Sequence, residues 1–502
     1  MSDFTELVDL ASERVGGVVL AANDEFFAPK ENLLLPSKPV FIEDKYTDRG
    51  KWMDGWETRR RREPGHDWAI IQLGLPGVIK GVVIDTSHFK GNYPARCSLE
   101  ACSSEKGAKL EQLLNSTRWV EVLPQSDLRG DTQNFLAIAS PHRFTHVRLN
   151  IFPDGGVARF RVYGEVIPDW RQLVSSGKEI DLAAVENGGL VRAASDMFFG
   201  SRHNLILPGP AKNMGDGWET KRRRGPGHDW AIIQLGTEGV VHRIEVGTSH
   251  FKGNFPESCS VEGGRAHDPS PDSLQGVAWQ ELLPRTKLQA DTRHSFEKEL
   301  HPVGPVSHLR LSIFPDGGVA RLRAFGHISP EGQLLAGLRL LNALAEREAE
   351  AALLACCGAR SWVQQMLKQR PVRSVDHLRQ VADETWWSLE EKDWLEAFGA
   401  HPKIGETSSE KQATVARQWS EQEQAGTHGA SAKALSELLD ANRAYEARFG
   451  HIFIVCATGK TAEEMLALLR QRLQNEPDKE LRIAAEEQRR ILQFRLEKLL
   501  QL

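Results

Sequence analysis

The chain lacks several features that mark particular classes of protein. No run of about 18 apolar residues occurs, so the sequence predicts no membrane-spanning helix. The net charge of -5 argues against a nucleic-acid groove, because binding phosphates usually requires a basic excess. The amino terminus, MSDFTELVDL, is acidic and has neither the basic nor the apolar region of a secretory signal. We therefore expect neither a membrane nor a nucleic acid as a partner.

Cysteine is also scarce. The six cysteines show no CxxC spacing for a metal, and six thiols in 502 residues do not form a disulfide framework. Cys97 and Cys259 occupy equivalent positions of an internal repeat, each within a strand-like pattern, so we expect them to be small core residues. Unpaired thiols favour a reduced, cytoplasmic compartment.

One stretch occurs twice and organises the first two thirds of the chain. DGWETRRRREPGHDWAIIQLG (54–74) returns almost unchanged as DGWETKRRRGPGHDWAIIQLG (216–236), and TSHFKGN and IFPDGGVAR are repeated as well. The offset between copies is 172 residues before this stretch and 162 after it, so the first copy carries about ten extra residues. We place them within VFIEDKYTDR (40–49) and expect a surface loop.

Each copy has the periodicity of short strands rather than helices. HVRLNIF (146–152) alternates apolar and polar residues, and RFRVYG (159–164) follows it after the turn sequence PDGG, which predicts a hairpin between the two. WAIIQLG has the composition of a core strand. Many short strands with regular turns predict an antiparallel β-sandwich for each copy, so that the two form a tandem pair.

After Gly326 the pattern becomes helical. Ser329 is placed to cap a first helix that begins at Pro330. Apolar spacing predicts further helices at 374–383, 388–399, 408–424, 431–448, 461–473 and 477–500. ATGKT (457–461) lacks the first glycine of a phosphate-binding loop, so we expect it to start a helix. The carboxyl-terminal third is therefore predicted to be a separate all-α domain.

Candidate residues for chemistry lie in the loops and the last helix of this domain. His401 precedes a proline in a predicted interhelical loop and titrates near neutral pH, which suits proton transfer. Arg495 has the planar guanidinium that recognises carboxylates, although a surface-reaching role is the alternative. Glu423 and Gln424 can equally be helix-surface groups.

Polar residues that recur in both β copies are the other candidates. Arginine suits a carboxylate, carboxylates suit N–H donors, and histidine suits either proton transfer or a metal, so the set fits a small anion with ureido or amide groups. A structural role for the repeated loop is the alternative. The candidates are Glu57, Arg59, Arg61, His66, Asp67, His88 and Lys90, with Glu219, Arg223, His228, Asp229, His250 and Lys252 in the second copy.

The doubled DGWET(R/K)RRR, PGHDW, TSHFKGN and FPDGGVAR motifs resemble the allantoicase family over residues 1–330. The resemblance implies two jelly-roll, galactose-binding-like domains, which we place at 1–168 and 169–328, and hydrolysis of allantoate to (S)-ureidoglycolate and urea. It leaves open a divalent metal and which copy holds the site. The alternative is a non-catalytic carbohydrate- or anion-binding tandem.

Residues 333–502 resemble the 2-oxo-4-hydroxy-4-carboxy-5-ureidoimidazoline (OHCU) decarboxylase family through CCGARSW (356–362), HPKIG (401–405), SEQEQAG (420–426) and FGHIFIVCATGKT (449–461). The resemblance implies an all-α fold and cofactor-free formation of (S)-allantoin. It makes His401 the acid/base that acts on the 4-hydroxyl, assisted by Glu423, with Arg495 binding an anionic part of the substrate. Ser420, Gln424 and Pro402 are then expected to contact the ring. An inactive scaffold is the alternative.

The two resemblances together predict a bifunctional enzyme of purine (urate and allantoin) catabolism. We expect its partners to be the small-molecule substrates allantoate and OHCU, and the chain to form a homo-oligomer. The two predicted reactions do not share an intermediate, so direct transfer of a product between the domains is not expected.

Overall fold

The computed structural model describes residues 4–104, 107–115, 118–175, 177, 179–266, 273–401, 419, 432–457 and 459–501. The chain divides into two compact units, Met1–Gln333 and Leu334–Leu502. The first unit contains both β copies, and the second is helical.

The first repeat is built around one long strand, β6, which spans Asp67–Asp85. Its strands are β1 Val8–Asp9, β2 Val18–Ala22, β3 Tyr46–Thr47, β4 Gly50–Lys51, β5 Trp56–Glu57, β6, β7 Arg96–Cys102, β8 Val120–Asp127, β9 Gln133–Ala137, β10 Arg143–Phe152, β11 Gly156–Val157 and β12 Arg159–Val166, with helix α1 at Leu110–Leu114. The first half of β6 lies between β2 and β10, and β7 and β8 follow β10. The second half lies between β9 and β12, and β1 follows β12. One strand thus takes part in two antiparallel sets, as expected for a sandwich whose sheets share a bent strand.

The second repeat has the same topology. After helix α2 (Trp170–Ser175), its strands are β13 Ile180–Asp181, β14 Leu190–Ala194, β15 Trp218–Glu219, β16 Asp229–Gly247, β17 Ser258–Gly264, β18 Gln280–Lys287, β19 Arg293–Phe296, β20 Val306–Phe314, β21 Gly318–Val319 and β22 Arg321–Ile328. β16 takes the place of β6, with β14 and β20 on its first half and β19 and β22 on its second. The predicted pair of antiparallel β-sandwiches is therefore confirmed.

The repeated WAIIQLG stretch is the core strand that the sequence predicts. Ile71 and Ile233 are fully buried within it. At its end, a Cβ on Gly74 would lie 2.5 Å from the Val15 carbonyl oxygen, so only glycine fits where the chain passes over the strand. Trp56 and Trp218 are also fully buried, and each indole donates a 2.8 Å hydrogen bond to a backbone carbonyl oxygen. Repetition of these residues thus follows partly from packing.

The predicted hairpin between 146–152 and 159–164 is wrong. β10 and β12 both pair with β6, and they are not neighbours. The intervening PDGGV turn instead carries β11, which pairs with β5 at Gly156↔Glu57. The physical reason is the length of β6: a 19-residue strand can accept partners on its two halves, and a turn motif alone does not reveal this.

The cysteines have the role predicted for them. Cys97 and Cys259 are fully buried in β7 and β17, and all six cysteines are free thiols. Burial raises the pKa of each of these two thiols to about 12, so they remain protonated and unreactive near neutral pH.

Charged side chains connect the two repeats within the first unit. Arg14, from the first repeat, pairs with Asp216 of the second and donates a 2.9 Å hydrogen bond to Asn204 Oδ1. Asp216 also holds the buried Arg321 at 3.0 Å. Burial lowers the pKa of Arg321 to about 10, so this guanidinium depends on its carboxylate and carbonyl partners.

The described part of the second unit is helical, as predicted. Its helices are α3 Pro330–Ala343 (which begins in the first unit), α4 Glu346–Cys356, α5 Arg360–Lys368, α6 Val375–Trp387, α7 Glu391–Gly399, α8 Ala432–Phe449, α9 Ala462–Arg472 and α10 Pro477–Leu500. Ser329 caps α3 by accepting from Gly332 N at 3.0 Å, and Thr461 caps α9 with Glu464 in a reciprocal pair. α5 was not predicted, although its apolar residues have helical spacing, because it is only nine residues long. The predicted helix 408–424 lies outside the described residues, except Trp419.

Two buried tryptophans anchor the core of this unit. The Trp362 and Trp386 indoles donate to the carbonyl oxygens of Ala382 and Ala485 at 3.1 and 3.0 Å. They fix α5 to α6 and α6 to α10, since a buried indole N–H requires a partner. α10 thereby presents a fixed face to the rest of the unit. Among the described residues, no helix is long and apolar enough to cross a membrane.

Candidate active sites

A cavity of about 420 Å³ in the first repeat brings together three of the predicted residues, Glu57, His88 and Lys90. Its other lining residues are Phe27, Phe41, Lys51, Met53, Gly91 and Asn92. The cavity therefore combines an acid, an imidazole and two ammonium groups with an aromatic wall, which suits a small polar anion.

Glu57 is positioned by the backbone on both sides. It lies in β5, whose pairing with β11 and bridge to Ala28 fix its main chain. Its carboxylate accepts a 2.7 Å hydrogen bond from Asn92 Nδ2. Burial raises the pKa of Glu57, although the Asn92 hydrogen bond acts in the opposite direction. A carboxyl group with a raised pKa can hold and deliver a proton nearer to neutral pH.

His88 has a strained backbone that holds its ring at the cavity. Its φ is 72°, in the left-handed region that side chains other than glycine avoid, and its amide donates to Asp131 Oδ1 at 2.8 Å. Such strain is concentrated at functional sites. The ring Nε2 lies 3.3 Å from the Pro39 carbonyl oxygen, which can only accept, so Nε2 carries the hydrogen in the neutral ring. Nδ1 is then the basic nitrogen.

The two lysines of the cavity differ in their surroundings. The Lys90 side chain is 81% exposed and its Nζ lies 4.0 Å from Asp131. Lys51 Nζ lies over two aromatic rings, at 4.9 Å from the Phe41 centroid and 4.8 Å from that of Tyr46. Sequence reasoning missed Lys51, Phe41 and Met53, which are not repeated; Phe41 lies in the insertion, and Lys51 and Met53 follow it.

The second repeat carries the same polar set. Asn254 donates to Glu219, His250 N donates to Asp291 Oδ1 at 2.7 Å, and His250 also has a φ of 72°. Its ring Nε2 lies 2.9 Å from the Ala211 carbonyl oxygen. The counterpart of Lys90, Lys252, is exposed. The constellation of glutamate, asparagine and strained histidine is therefore duplicated in space as well as in sequence.

The repeated arginine and aspartate residues are engaged with each other. Arg61 contacts Asp67 at 2.8 Å and Arg223 contacts Asp229 at 2.6 Å, and both aspartates are almost fully buried. The amide of each arginine also donates to an aspartate of the PDGG turn, at 2.8 Å. These pairs fasten the basic loop to the sheet. Asp67 Oδ1 accepts from both Arg61 and Asn23, whereas Asp67 Oδ2 is buried without a hydrogen-bond partner among the described residues.

Arg59 has a different partner from Arg61. It pairs with Asp24 at 2.6 Å and its side chain is largely exposed, whereas Arg61 pairs with the buried Asp67. Residues 58–62 are not in a strand, so the alternation of side chains along a strand does not apply to the two arginines.

His66 and His228 lie on a different surface from His88 and His250. Each ring packs on a phenylalanine of the central sheet, with centroids 4.8 Å and 4.7 Å apart. His228 lines a cavity of about 500 Å³ with Glu262 and Arg310, which are themselves 2.6 Å apart. The structure thus does not bring these histidines into the Glu57 cavity.

In the helical unit, His401 and Arg495 are close enough to interact. His401 follows α7 directly and is half-buried, and its amide donates to Phe398 O at 3.1 Å. Burial lowers the pKa of His401 well below its ordinary range, and the charge of Arg495 lowers it further. Arg495 is 5% exposed and donates to Ala355 O at 3.5 Å. A neutral imidazole beside a buried guanidinium can accept a proton next to a bound anion.

Gln488 is a third member of this site that sequence reasoning missed. It lies two turns before Arg495 on α10 and raises the pKa of His401 by contact with the ring. It is fully buried, yet among the described residues neither its Nε2 nor its Oε1 has a hydrogen-bond partner of ordinary geometry. A buried amide without such partners is costly, and a polar ligand beside His401 would supply one. The signal was a glutamine on an apolar helix face.

The remaining candidates, Pro402, Ser420, Glu423 and Gln424, lie outside the described residues. Among the described residues, no three His, Cys, Asp or Glu side chains group closely enough to hold an ion. A divalent metal for the hydrolase therefore stays a prediction.

We expect Gln488→Met to slow decarboxylation about tenfold while stabilising the unit by about 1–3 kcal/mol, because an apolar side chain of similar size removes an unsatisfied buried amide. Formation of allantoin and thermal unfolding measure the two effects. Gln493→Met is the matched control: its amide donates to Asp383 at 2.6 Å, so this variant should lose stability and keep its turnover. A Gln488→Met variant that is less stable but fully active would contradict the assignment.

Comparison with known proteins agrees with this division. The family model "Allantoicase repeat" matches residues 8–167 and 180–329, and the model "OHCU decarboxylase" matches 342–497. Allantoicase from Dictyostelium discoideum is 50% identical over 321 residues, covering 64% of this chain and 86% of the relative. A probable allantoicase 1 from Burkholderia mallei is also 50% identical over 321 residues, covering 64% and 94%. The crystal structure of allantoicase from Saccharomyces cerevisiae is 39% identical, with a TM-score of 0.55, covering 64% of this chain and 93% of that one.

The fold and sites define an enzyme with two catalytic parts, a tandem β-sandwich hydrolase and a helical carboxy-lyase. The chain belongs to the allantoicase family, and it carries an OHCU decarboxylase domain after the two allantoicase repeats. It is therefore a bifunctional enzyme of purine catabolism, and the non-catalytic binding tandem considered above is not supported.

Proposed function

We propose that the β unit hydrolyses allantoate to (S)-ureidoglycolate and urea at the glutamate, asparagine and histidine set seen at Glu57, Asn92 and His88. The observation that carries this proposal is a half-buried carboxyl group with a raised pKa in the same cavity as a strained histidine. Both lie in a cavity of about 420 Å³ that also presents ammonium groups to an anion. The names of the relatives support the choice of substrate.

The chemistry follows from these groups. His88 Nδ1 accepts a proton from the attacking water, whose oxygen becomes bonded to the carbon that loses a ureido group. Glu57 delivers a proton to the departing nitrogen, so that urea leaves as a neutral molecule. Asn92 holds the carboxyl group in place at 2.7 Å. The lysines provide counter-charge for the carboxylate of the substrate. The scheme uses protein side chains alone.

The helical unit, we propose, decarboxylates OHCU to (S)-allantoin without a cofactor. Loss of CO2 leaves an electron-rich carbon that must be protonated on one face. His401, which remains neutral near pH 7, moves the proton at the 4-hydroxyl, and Arg495 supplies a counter-charge to the anionic part of the substrate. By the family resemblance, Glu423 assists the proton transfer, and Ser420, Gln424 and Pro402 contact the ring.

The purified full-length chain tests both activities. Incubated with allantoate, it should release one urea per substrate consumed, and supplied with freshly generated OHCU it should form (S)-allantoin. Each activity is a folding control for the other. Absence of urea release from a protein that still decarboxylates OHCU would refute the hydrolase assignment.

Two broader properties complete the proposal. The six free, buried thiols support a reducing, cytoplasmic location. We propose a homo-oligomer as the working form, which sedimentation of the purified chain would test.

A further inference from the structure

We propose that the first repeat alone hydrolyses the substrate, because the insertion after residue 39 and the residues that directly follow it complete its cavity, where Lys51 anchors the substrate carboxylate. The inference rests on the hydrolase function proposed above. The two sites share the glutamate, asparagine and histidine, so any difference in activity must come from the residues that line them.

The walls differ between the repeats in sequence. Three lining residues of the first cavity, Phe41, Lys51 and Met53, are not repeated in the second copy. Phe41 lies in the inserted segment, and at the 162-residue offset Asn213 stands at the position of Lys51. Ala211 packs against Phe251 and Ala320 where Met53 packs against Phe89 and Ala158. The second set of polar residues therefore lacks the cation, the aromatic ring and the thioether side chain that enclose the first.

The inserted segment also touches the histidine directly. It forms a small hairpin, in which Tyr46 pairs with Lys51, and the Phe41 ring stacks on His88 with centroids 5.7 Å apart and planes at 28°. The hairpin thus places one ring against the proposed base and brings Lys51 to the rim of the cavity. This contact restricts both the orientation of the imidazole and its access to water.

A phenylalanine that both repeats share is more exposed to solvent in the second repeat than in the first. Phe27 lines the first cavity and is half-buried, whereas its counterpart Phe199 is 64% exposed. The neighbouring Phe198 is 71% exposed, compared with 40% for Phe26. The second set of polar residues is therefore open to solvent. Bulk water in an open site screens charges and so weakens electrostatic stabilisation.

Lys51 is the cation suited to the substrate. Its ammonium group lies over the Phe41 and Tyr46 rings, and none of the ion pairs among the described residues includes it. Lys90, in contrast, already faces Asp131. A lysine without an acidic partner at the rim of a cavity is available to an incoming carboxylate.

The test compares matched substitutions in the full-length chain, with decarboxylation and thermal unfolding as controls for folding. Glu57→Gln should lower the turnover number for urea release by about 100-fold, and Glu219→Gln should leave it within about twofold of the wild type. Lys51→Met should raise KM for allantoate about tenfold with little change in the turnover number, and Lys51→Arg should restore most of the affinity.

The outcomes separate this inference from the hydrolase proposal. Equal losses in both glutamine variants, or a loss in Glu219→Gln alone, would overturn the inference while leaving the proposed chemistry in place. Full activity in both variants would show that neither constellation is the hydrolytic site and would overturn both. An unchanged KM in Lys51→Met would remove Lys51 from substrate recognition.

Discussion

A His401→Ala variant is expected to lose decarboxylation by a factor of about 10²–10⁴ while its urea release stays at the wild-type level. The loss follows from the position of His401, where burial and the charge of Arg495 keep the imidazole neutral and thus able to accept a proton. The two activities are expected to separate because the hydrolytic residues belong to the other compact unit.

The pH dependence tests the same assignment. Since burial and the charge of Arg495 hold the pKa of His401 well below 6.5, the imidazole gains its inactivating proton only in acid, and the acid limb of decarboxylation should lie well below pH 6.5. An unperturbed histidine would give a limb near pH 6.5. Formation of (S)-allantoin in single-turnover mixtures at several pH values measures this limb.

A matched variant controls for non-specific effects on the unit. His377 is a half-buried histidine of the same unit, on α6, and His377→Ala should retain decarboxylation. If His401→Ala turned over OHCU at the wild-type rate, the proton-transfer role would be refuted. If both variants lost activity together with their thermal transition, the effect would be structural.

The second large effect is on stability. Asp216→Ala is expected to destabilise the β unit by about 3–5 kcal/mol, because it leaves a buried guanidinium without its carboxylate. Arg321 is 8% exposed, and Asp216 is its acidic partner at 3.0 Å. The same carboxylate pairs with Arg14 across the two repeats, so the substitution also removes an ion pair that joins them.

The repeated architecture supplies the control for this experiment. Asp54 holds Arg159 at 2.9 Å in the equivalent place, but no ion pair across the repeats accompanies it among the described contacts. Asp54→Ala should therefore cost less than Asp216→Ala, as measured by chemical denaturation of the two variants followed by tryptophan fluorescence. Equal costs, or a larger cost at Asp54, would show that the Arg14 contact contributes nothing to stability.

The sequence predicted the class of fold because duplication and periodicity are both local signals. A strand such as WAIIQLG, a cap such as Ser329 and a helix such as α10 each depend on nearby residues. The order of strands depends on partners far apart in the chain. The PDGG turn illustrates this limit: its local sequence favours a hairpin, but the long β6 accepts β10 and β12 separately.

The candidate sites divide in the same way. Glu57 and His88 could be named because they are polar and repeated, and the structure brings them to one cavity. Arg61 and Asp67 are repeated for a different reason, since they fasten the basic loop to the sheet. Lys51 was missed because it is not repeated at all. Repeated residues therefore identify the features that both copies share. Residues present in only one copy, such as Lys51, indicate which site is complete.

The helical site shows a further limit. Gln488 has no motif of its own, and its significance comes from burial without ordinary hydrogen bonds beside His401. The spacing of residues places Gln488 on an apolar helix face, but its lack of ordinary hydrogen bonds depends on how the helices pack and cannot be read from the sequence. Arg495, on the same helix, could be named because the domain resembles a known family.

The position of bound allantoate distinguishes the two repeats most directly. A crystal structure of the full-length Glu57→Gln variant soaked with allantoate shows this position. The predicted result is substrate density in the first-repeat cavity alone, with its carboxylate at Lys51 and a ureido group at the side chains of residue 57 and Asn92. Density at Glu219 and His250, or in the cavity beside Glu262 and Arg310, with the first-repeat cavity empty, would contradict the account.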